Sequence, residues 1–359
     1  MTLDDRRTVG VEEEFLVVDA AGRPVPRAPD IVADEERLEH ELQQEQAETG
    51  SEPTTDLATL IADLAGQRTA LARAAAEYQA HVAALGTSPV PVQPTTTPNP
   101  RYVRMMREYG LTAHQQLSCG CHVHVSISSR DEGVAAVNAI QPWLAPILAL
   151  SANSPYWQGE DTGFASYRRQ VWNRWPSAGP TTPFSGPDEY DAVIAAMIGS
   201  GVLLDRGMVY FDARLSARYP TLEIRVADVC PTPEDAGLVA ALCRGLVESA
   251  PLLVTPLPIT RIELLRGAAW RASYSGLSGD LVDPTSGKPA PAPAVLERLV
   301  ATIAPALRRH GDLDAVEASL DRVLARGTGA DLQRAAFARR GDLADVVQDA
   351  VARTTPSLS

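Results

Sequence analysis

Strand alternation limits what this chain can fold into more than any other feature. Successive side chains of a β-strand point to opposite faces. Three well-separated segments use that period to gather charged or metal-capable groups on one face and apolar groups on the other. In residues 8–19, Glu12 and Glu14 share a face while Val11, Glu13, Phe15 and Val17 share the other. In residues 116–128, His122 and His124 face one way with Ser118, Gly120 and Ser126, and Cys119, Cys121, Val123, Val125 and Ile127 face the other. In residues 221–229, Glu223 and Arg225 share a face opposite the aliphatic residues. The apolar faces are fit to pack under helices. A like-charged pair such as Glu12 and Glu14 repels unless a cation or water intervenes, so convergence of the three polar faces demands a divalent metal. Hard oxygen ligands with an occasional imidazole suit Mg2+ or Mn2+, and those ions suit nucleotide phosphates.

The rest of the pattern predicts helices placed irregularly among the strands. Apolar residues from Leu57 to Leu85 form one stripe, which predicts a helix over 56–85 capped by Thr54 or Thr55. A Pro/Thr loop follows at 86–100. A buried helix begins near Asp131; residues 134–159 carry no charge, but Pro142, Pro146 and Pro155 argue against a bilayer span. Further helices are predicted at 188–199 and 234–253, and from about 292 onward with breaks at Gly311, Gly327 and Gly341. No regular βαβ alternation and no glycine-rich dinucleotide fingerprint is present. The expected class is α+β, with a mainly antiparallel sheet and one domain over 1–359 that ends in a helical region from about 292.

Composition removes several classes of function. A net charge of −13 works against nucleic acid and anionic lipid as partners. The 32 basic residues include a single lysine, Lys288, in a Pro- and Gly-rich stretch. A phosphate-loop lysine, a Schiff-base lysine and a kinase-type strand lysine are therefore all missing, and any phosphate must be handled by arginine and metal. Four cysteines without a CxxC are too few for a disulfide scaffold, and the first residues carry acids where a signal peptide needs bases. The expected compartment is the cytoplasm.

Each motif alone has an ordinary reading. Three consecutive glutamates are more often a solvated edge than a metal site. An HxH strand serves as often in neighbour contacts as in ligation. Glu-x-Arg is usually a surface pair. Cys119-Gly120-Cys121-His122-Val123-His124 resembles a zinc cluster as text, yet alternation puts the cysteines and histidines on opposite faces. It is the coincidence of the motifs that carries the argument.

The order of blocks extends that coincidence across the chain. They are Gly10-Val11-Glu12-Glu13-Glu14-Phe15; the acidic stretch with Glu41 and Glu48; Thr97-Pro98 with Arg101-Tyr102; Cys119–Val125; Ala152-Asn153-Ser154-Pro155-Tyr156-Trp157; Ser166-Tyr167-Arg168; Trp175-Pro176; Asp212-Ala213-Arg214; and Thr221–Asp228. This series resembles the carboxylate–amine ligases of the glutamate–cysteine ligase type 2 group over nearly the whole chain. The resemblance implies a glutamine-synthetase-like bowl, a curved antiparallel sheet with helices outside and ATP and Mg2+ inside. It implies Glu12, Glu14, Glu48, His122 and Glu223 as metal ligands, with Glu41 near the same cluster. The residues leave a second option for Glu48, because Glu41, Glu45 and Glu48 would also share one face of a helix.

The implied reaction activates a carboxylate as an acyl phosphate and lets an amine displace the phosphate. Arg225 and Arg214 are then expected at phosphate oxygens, Arg168 at a substrate carboxylate, and Glu41 or His124 as acceptor of the amine's proton. Small-molecule carboxylate and amine substrates are the expected partners, with glutamate and cysteine the default pair; a homo-oligomer is compatible with the sequence but not specified by it. Departures at Arg266-Gly267-Ala268-Ala269, Tyr274 and Val209-Tyr210-Phe211 fall where the substrate end would be shaped. A zinc hydrolase using His122 and His124, and a nucleotide-binding module without turnover, are the alternatives that ATP-dependent amide formation would exclude.

Overall fold

The computed structural model describes residues 6–32, 38–253 and 258–355. Its strands are β1 (Val9–Val18), β2 (Leu38–His40), β3 (Gln46–Gly50), β4 (His81–Ala83), β5 (Gly120–Ser126), β6 (Tyr156–Trp157), β7 (Glu160–Asp161), β8 (Ala213–Leu215), β9 (Thr221–Asp228), β10 (Asp280–Val282) and β11 (Pro289–Pro291). Seven of them form one sheet in the order β2-β3-β1-β5-β9-β8, with β4 also pairing β1. Every pairing in it is antiparallel. The α+β class expected from the irregular spacing of strands and helices is the one observed.

The apolar strand faces are covered by three long helices, Leu57–Glu77, Arg130–Leu150 and Pro233–Ser249. Cys121, Val123 and Val125 of β5, and Leu222, Ile224 and Val226 of β9, are buried in that layer. Ser129 caps the middle helix by accepting from the Glu132 N–H at 3.1 Å, and Asp131 and Glu132 suit its first-turn dipole. That helix has the length and apolar content of a membrane span, yet most of it lies inside the fold. Gly133 lets it close on the sheet, since a Cβ there would meet Leu215 and Ile127 within 2.6 Å. Helices Ala292–His310, Leu313–Arg326, Gly329–Ala338 and Leu343–Thr354 follow, separated near the three predicted glycines.

The helix predicted over 56–85 is shorter in the structure. It starts after Asp56, whose side chain accepts from the Thr59 N–H at 2.7 Å in place of the expected threonine cap. It ends at Glu77; Gln79 then takes a positive φ of 56° and the chain turns into β4. Val82 continues the apolar stripe in sequence but sits opposite Val17 in the sheet. A short apolar run fits either period, and tertiary pairing decides between them. The helical option for Glu41, Glu45 and Glu48 also gives way, because Glu48 lies in β3.

One polar pair crosses the covered layer. Glu13 points away from Glu12 and Glu14 and meets Arg68 of the helix Leu57–Glu77; both side chains are fully buried. Arg68 donates to both Glu13 oxygens, at 2.9 and 2.5 Å, and to the carbonyls of Cys230 and Pro231. Breaking a buried ion pair strands its partner, at a cost of about 3–5 kcal/mol. Arg68→Met is therefore expected to destabilise the fold by that order in urea unfolding. The double variant Arg68→Met, Glu13→Leu should recover much of the loss.

Candidate active site

The site is a product of strand register. Glu12 of β1 stands opposite His122 of β5, and Glu14 stands opposite Glu48 of β3. His124 stands opposite Glu223 of β9, which also faces Arg214 of β8. Directly opposed side chains in an antiparallel pair start only about 5 Å apart at Cβ. The polar faces therefore converge above the middle of the sheet, where a cavity of about 830 Å³ opens.

Ligand-type atoms within 4.8 Å of one another form three overlapping groups there: Glu12 with Glu48 and His122, Glu12 with His124 and Glu223, and Glu14 with Glu41 and Glu48. All five residues expected as metal ligands are thus brought together. Glu41, expected beside them, joins the third group, and His124, expected as a proton acceptor, joins the second. The Nε2 atoms of His122 and His124 are buried without a hydrogen-bond partner. Glu12 Oε2 lies 3.7 Å from His122 Nδ1 and 3.3 Å from His124 Nε2. Orphaned imidazole nitrogens among clustered carboxylate oxygens are a donor set that fits Mg2+ or Mn2+. Cys119 and Cys121 are buried on the opposite face, so the mixed cysteine and histidine zinc site does not form.

Charge within the cluster is unevenly relieved. Burial, then the nearby Glu41, pushes the Glu14 carboxyl up to about 7, although the Gly120 N–H donates to it. Burial and Glu41 also raise Glu48 well above the usual carboxylate range. Burial works against ionisation of Glu12, but the His122 and His124 rings beside it prevail and hold it below the usual carboxylate range. Burial likewise opposes the Glu223 charge, and Arg225 and Arg214 overcome it. Burial and the Arg225 charge lower His122 to about 3, leaving a neutral imidazole with a lone pair to offer.

The three arginines singled out in the sequence take different positions. Arg214 and Arg225 both pair with Glu223, Arg214 at 2.6 Å, and both line the cavity. Arg168 is buried beneath it, outside the lining, with Nε and Nη2 unpartnered. Its guanidinium occupies the space that Gly120 leaves empty, because a Cβ there would lie 2.2 Å from Nη2. Arg168 and Arg225 each lie 5.5 Å from the ring centre of Trp172. Asp228 anchors this region by accepting from the Ser154 and Ser166 hydroxyls, at 2.6 and 2.8 Å, and from the Asn153 N–H, with Arg168 at 4.0 Å.

Sequence reasoning missed two parts of the wall. Trp172, Trp175 and Tyr210 pack with centroid distances of 4.8 and 5.4 Å, and the far rim carries Arg130, Arg206, Arg218 and Tyr219. Trp175, Tyr210, Arg218 and Tyr219 come from irregular segments, and Trp172, Arg130 and Arg206 from helix ends or a single helical turn, where too little of a period exists to give a side chain a direction. The Trp175-Pro176 block marked one of them in advance, and the departure at Val209-Tyr210-Phe211 marked another.

The sheet carries helices on one face and an acidic, arginine-bearing cavity on the other, and the family of the chain makes it an ATP-dependent carboxylate–amine ligase. The chain belongs to glutamate–cysteine ligase family 2, whose model matches residues 8–349. A protein of Frankia alni, provisionally named glutamate–cysteine ligase 2-2, is 50% identical, with 100% of each chain covered. A Streptomyces coelicolor protein, provisionally named glutamate–cysteine ligase 2, is 44% identical over 97% of this chain and 99% of its own. Among solved structures, the glutamate–cysteine ligase of Francisella tularensis in complex with AMP has a TM-score of 0.73 at 13% identity, covering 98% of this chain and 89% of that one. The bifunctional glutathione synthetase of Pasteurella multocida gives 0.72 at 16% identity, covering 98% of this chain and 53% of that one. These two likenesses establish the fold.

The raised carboxyls have a measurable consequence. An acid whose folded pKa lies above its unfolded value stabilises the fold at low pH, and the contribution is lost as pH rises through the folded value. For Glu14 that loss runs from its ordinary 4.5 to beyond about 7. The lowered His122 acts in the opposite direction, but only below its ordinary 6.5. In chelator, the melting temperature should therefore fall as pH rises from 6.5 through the folded values of Glu14 and Glu48. Millimolar Mg2+ should abolish the fall; a flat profile in chelator would contradict this picture of the cluster.

Proposed function

We propose that this ligase forms a γ-glutamyl-type amide through an acyl phosphate, the default reaction being L-glutamate, L-cysteine and ATP to γ-glutamylcysteine, ADP and phosphate. The observation that carries the reading is the meeting of carboxylates, imidazoles and arginines on one strand face with no cysteine at the cavity among the described residues. A carboxylate carbon is too electron-rich for an amine to attack. Transfer of the ATP γ-phosphoryl group to a carboxylate oxygen gives an acyl phosphate. The amine nitrogen then attacks the carbonyl carbon, phosphate leaves with the C–O bonding pair, and the nitrogen loses a proton. Phosphoryl transfer calls for positioning and electrostatic stabilisation, which such a site supplies without a covalent nucleophile.

Glu12, Glu14, Glu48, His122 and Glu223, with Glu41 beside them, would hold Mg2+, and Mn2+ should replace it in an assay. Bound there, the ions would neutralise phosphate charge. Arg225 and Arg214 would orient phosphate oxygens; their forks are preset by Glu223 and, for Arg225, by Trp172. Arg168 lies just outside the cavity lining, and its two unpartnered nitrogens are what supports a role for it at the substrate carboxylate. Glu41 is the proposed acceptor of the amine's proton because it lines the cavity, with His124 second; Thr221 Oγ1, 2.9 Å from His124 Nδ1, fixes that ring. We place the reaction in the cytoplasm.

A screen of amino acids and amines for ADP release with Mg2+ and ATP would identify the substrates. With the right carboxylate, hydroxylamine should intercept the acyl phosphate and yield a hydroxamate only when ATP is present. Hydroxamate formed without ATP would overturn the mechanism.

Substitutions separate ligands from structural acids. Glu14→Gln and Glu48→Gln should lower turnover by orders of magnitude and, in chelator at pH 8, raise the melting temperature, because they remove repulsion. Glu223→Gln should also abolish turnover but lower stability, since it releases Arg214 and Arg225. His122→Ala should lose most activity, whereas Cys121→Ala should keep metal-dependent activity at a packing cost of about 1 kcal/mol. Full activity in His122→Ala would remove it from the proposed ligand set.

A further inference from the structure

The two ends of the cavity differ in charge. Glu14, Glu41 and Glu48 form a compact acidic group at one end. Beyond Glu223 the lining carries Arg130, Arg206, Arg214 and Arg218. Arg130 and Arg206 share the single carboxylate Asp191, and Arg214 and Arg225 share Glu223, so positive charge at this end exceeds the acid that balances it. A polyphosphate whose terminal group sits at the Mg2+-loaded acid cluster has its remaining negative charge drawn to the arginines at the other end. It must run its inner phosphates toward the arginines, and its ribose and base then emerge over the β8–β9 turn.

That turn, residues 216–220, places Tyr219 at the mouth. Tyr219 lines the cavity and is 55% exposed, whereas the nearby Tyr190 is buried. Its ring centroid lies 6.1 Å from that of His124 with the planes 87° apart. In a perpendicular pair, whichever ring offers its edge, His124 covers no more than one face of Tyr219. Both ends of the turn are held: Ser216 N–H donates to the Thr221 carbonyl at 3.0 Å, and the Tyr219 N–H reaches Ser216 Oγ at 3.3 Å. A large aromatic ring open to solvent at a basic mouth is a stacking platform of the type that accepts any base.

We infer that Tyr219 stacks on the nucleotide's base and is the residue that distinguishes a nucleoside triphosphate from bare triphosphate. The inference rests on the ATP-ligase reading above and assigns no chemical step to Tyr219. Because the contact is with a π-face and not a hydrogen-bonding edge, it contributes affinity for adenine and guanine alike; choice between them must come from elsewhere.

The test is calorimetric titration of the Mg2+-loaded protein with a non-hydrolysable ATP analogue and, separately, with inorganic tripolyphosphate. Tyr219→Ala is expected to weaken the analogue about 5- to 150-fold, the range of a lost base–aromatic stack, with tripolyphosphate affinity unchanged within twofold. Tyr219→Phe should bind both ligands as the wild type does, and melting temperatures should agree among all three proteins. Photolysis with 8-azido-ATP should label the peptide containing residues 216–220. An alanine variant that binds the analogue as tightly as the wild type, or that loses both ligands equally, overturns the inference while leaving the ligase reading intact. A wild type that binds neither ligand overturns both.

Discussion

The register of β1 against its neighbours is the constraint on which the rest of the structure depends. By setting Glu12 against His122 and Glu14 against Glu48, it forces like charges together in a buried place. A sheet slipped by one residue would turn every one of these side chains to the opposite face. The cost appears in the carboxyls themselves: Glu14 and Glu48 are pushed toward protonation, while Glu12 and Glu223 stay charged because imidazoles and arginines face them. Such a cluster is stable only beside a counter-charge, and it is therefore poised to take one.

The opposite face of the same strands makes this arrangement durable. Glu13 is clamped by Arg68 on that side, which pins β1 to the helix Leu57–Glu77 between two of the clustered acids. Val11 and Phe15 fill the apolar layer around it. Buried ion pairs seldom add much net stability, but they discriminate strongly against the wrong arrangement. The Asp228 knot acts similarly at the far end of β9, tying Asn153, Ser154 and Ser166 to the sheet beside Arg168. Several of the sequence blocks shared with the ligase family thus lie in supports that hold the polar face in place, not in the cavity itself.

The cavity has a direction, and direction is what a reaction joining three molecules needs. Acid gathered at one end and shared arginines at the other give the cavity ends of opposite charge, which in the proposed reaction would part the phosphoryl group from the rest of the nucleotide. Trp172 links the two regions, since both Arg168 and Arg225 lie over its ring. A displacement of that indole would be felt by both guanidinium groups at once.

The sequence alone determined the polar and apolar faces of the strands carrying Glu12, His122 and Glu223, because a period of two assigns each side chain to a side without knowledge of any partner. It also determined the α+β class, the helix breaks near Gly311, Gly327 and Gly341, and, through the ordered blocks, the ligase family. Tertiary structure decided what lies opposite what. Periodicity cannot distinguish a helix from a strand for Glu41 to Glu48 or for Val82, and pairing with β1 settled both. The depth of Arg168 depended on a missing Cβ at Gly120, and the placing of Trp175, Tyr210 and Tyr219 depended on irregular loops. In such segments no repeating geometry ties a residue's position in the chain to a direction in space, so only the folded contacts could supply it.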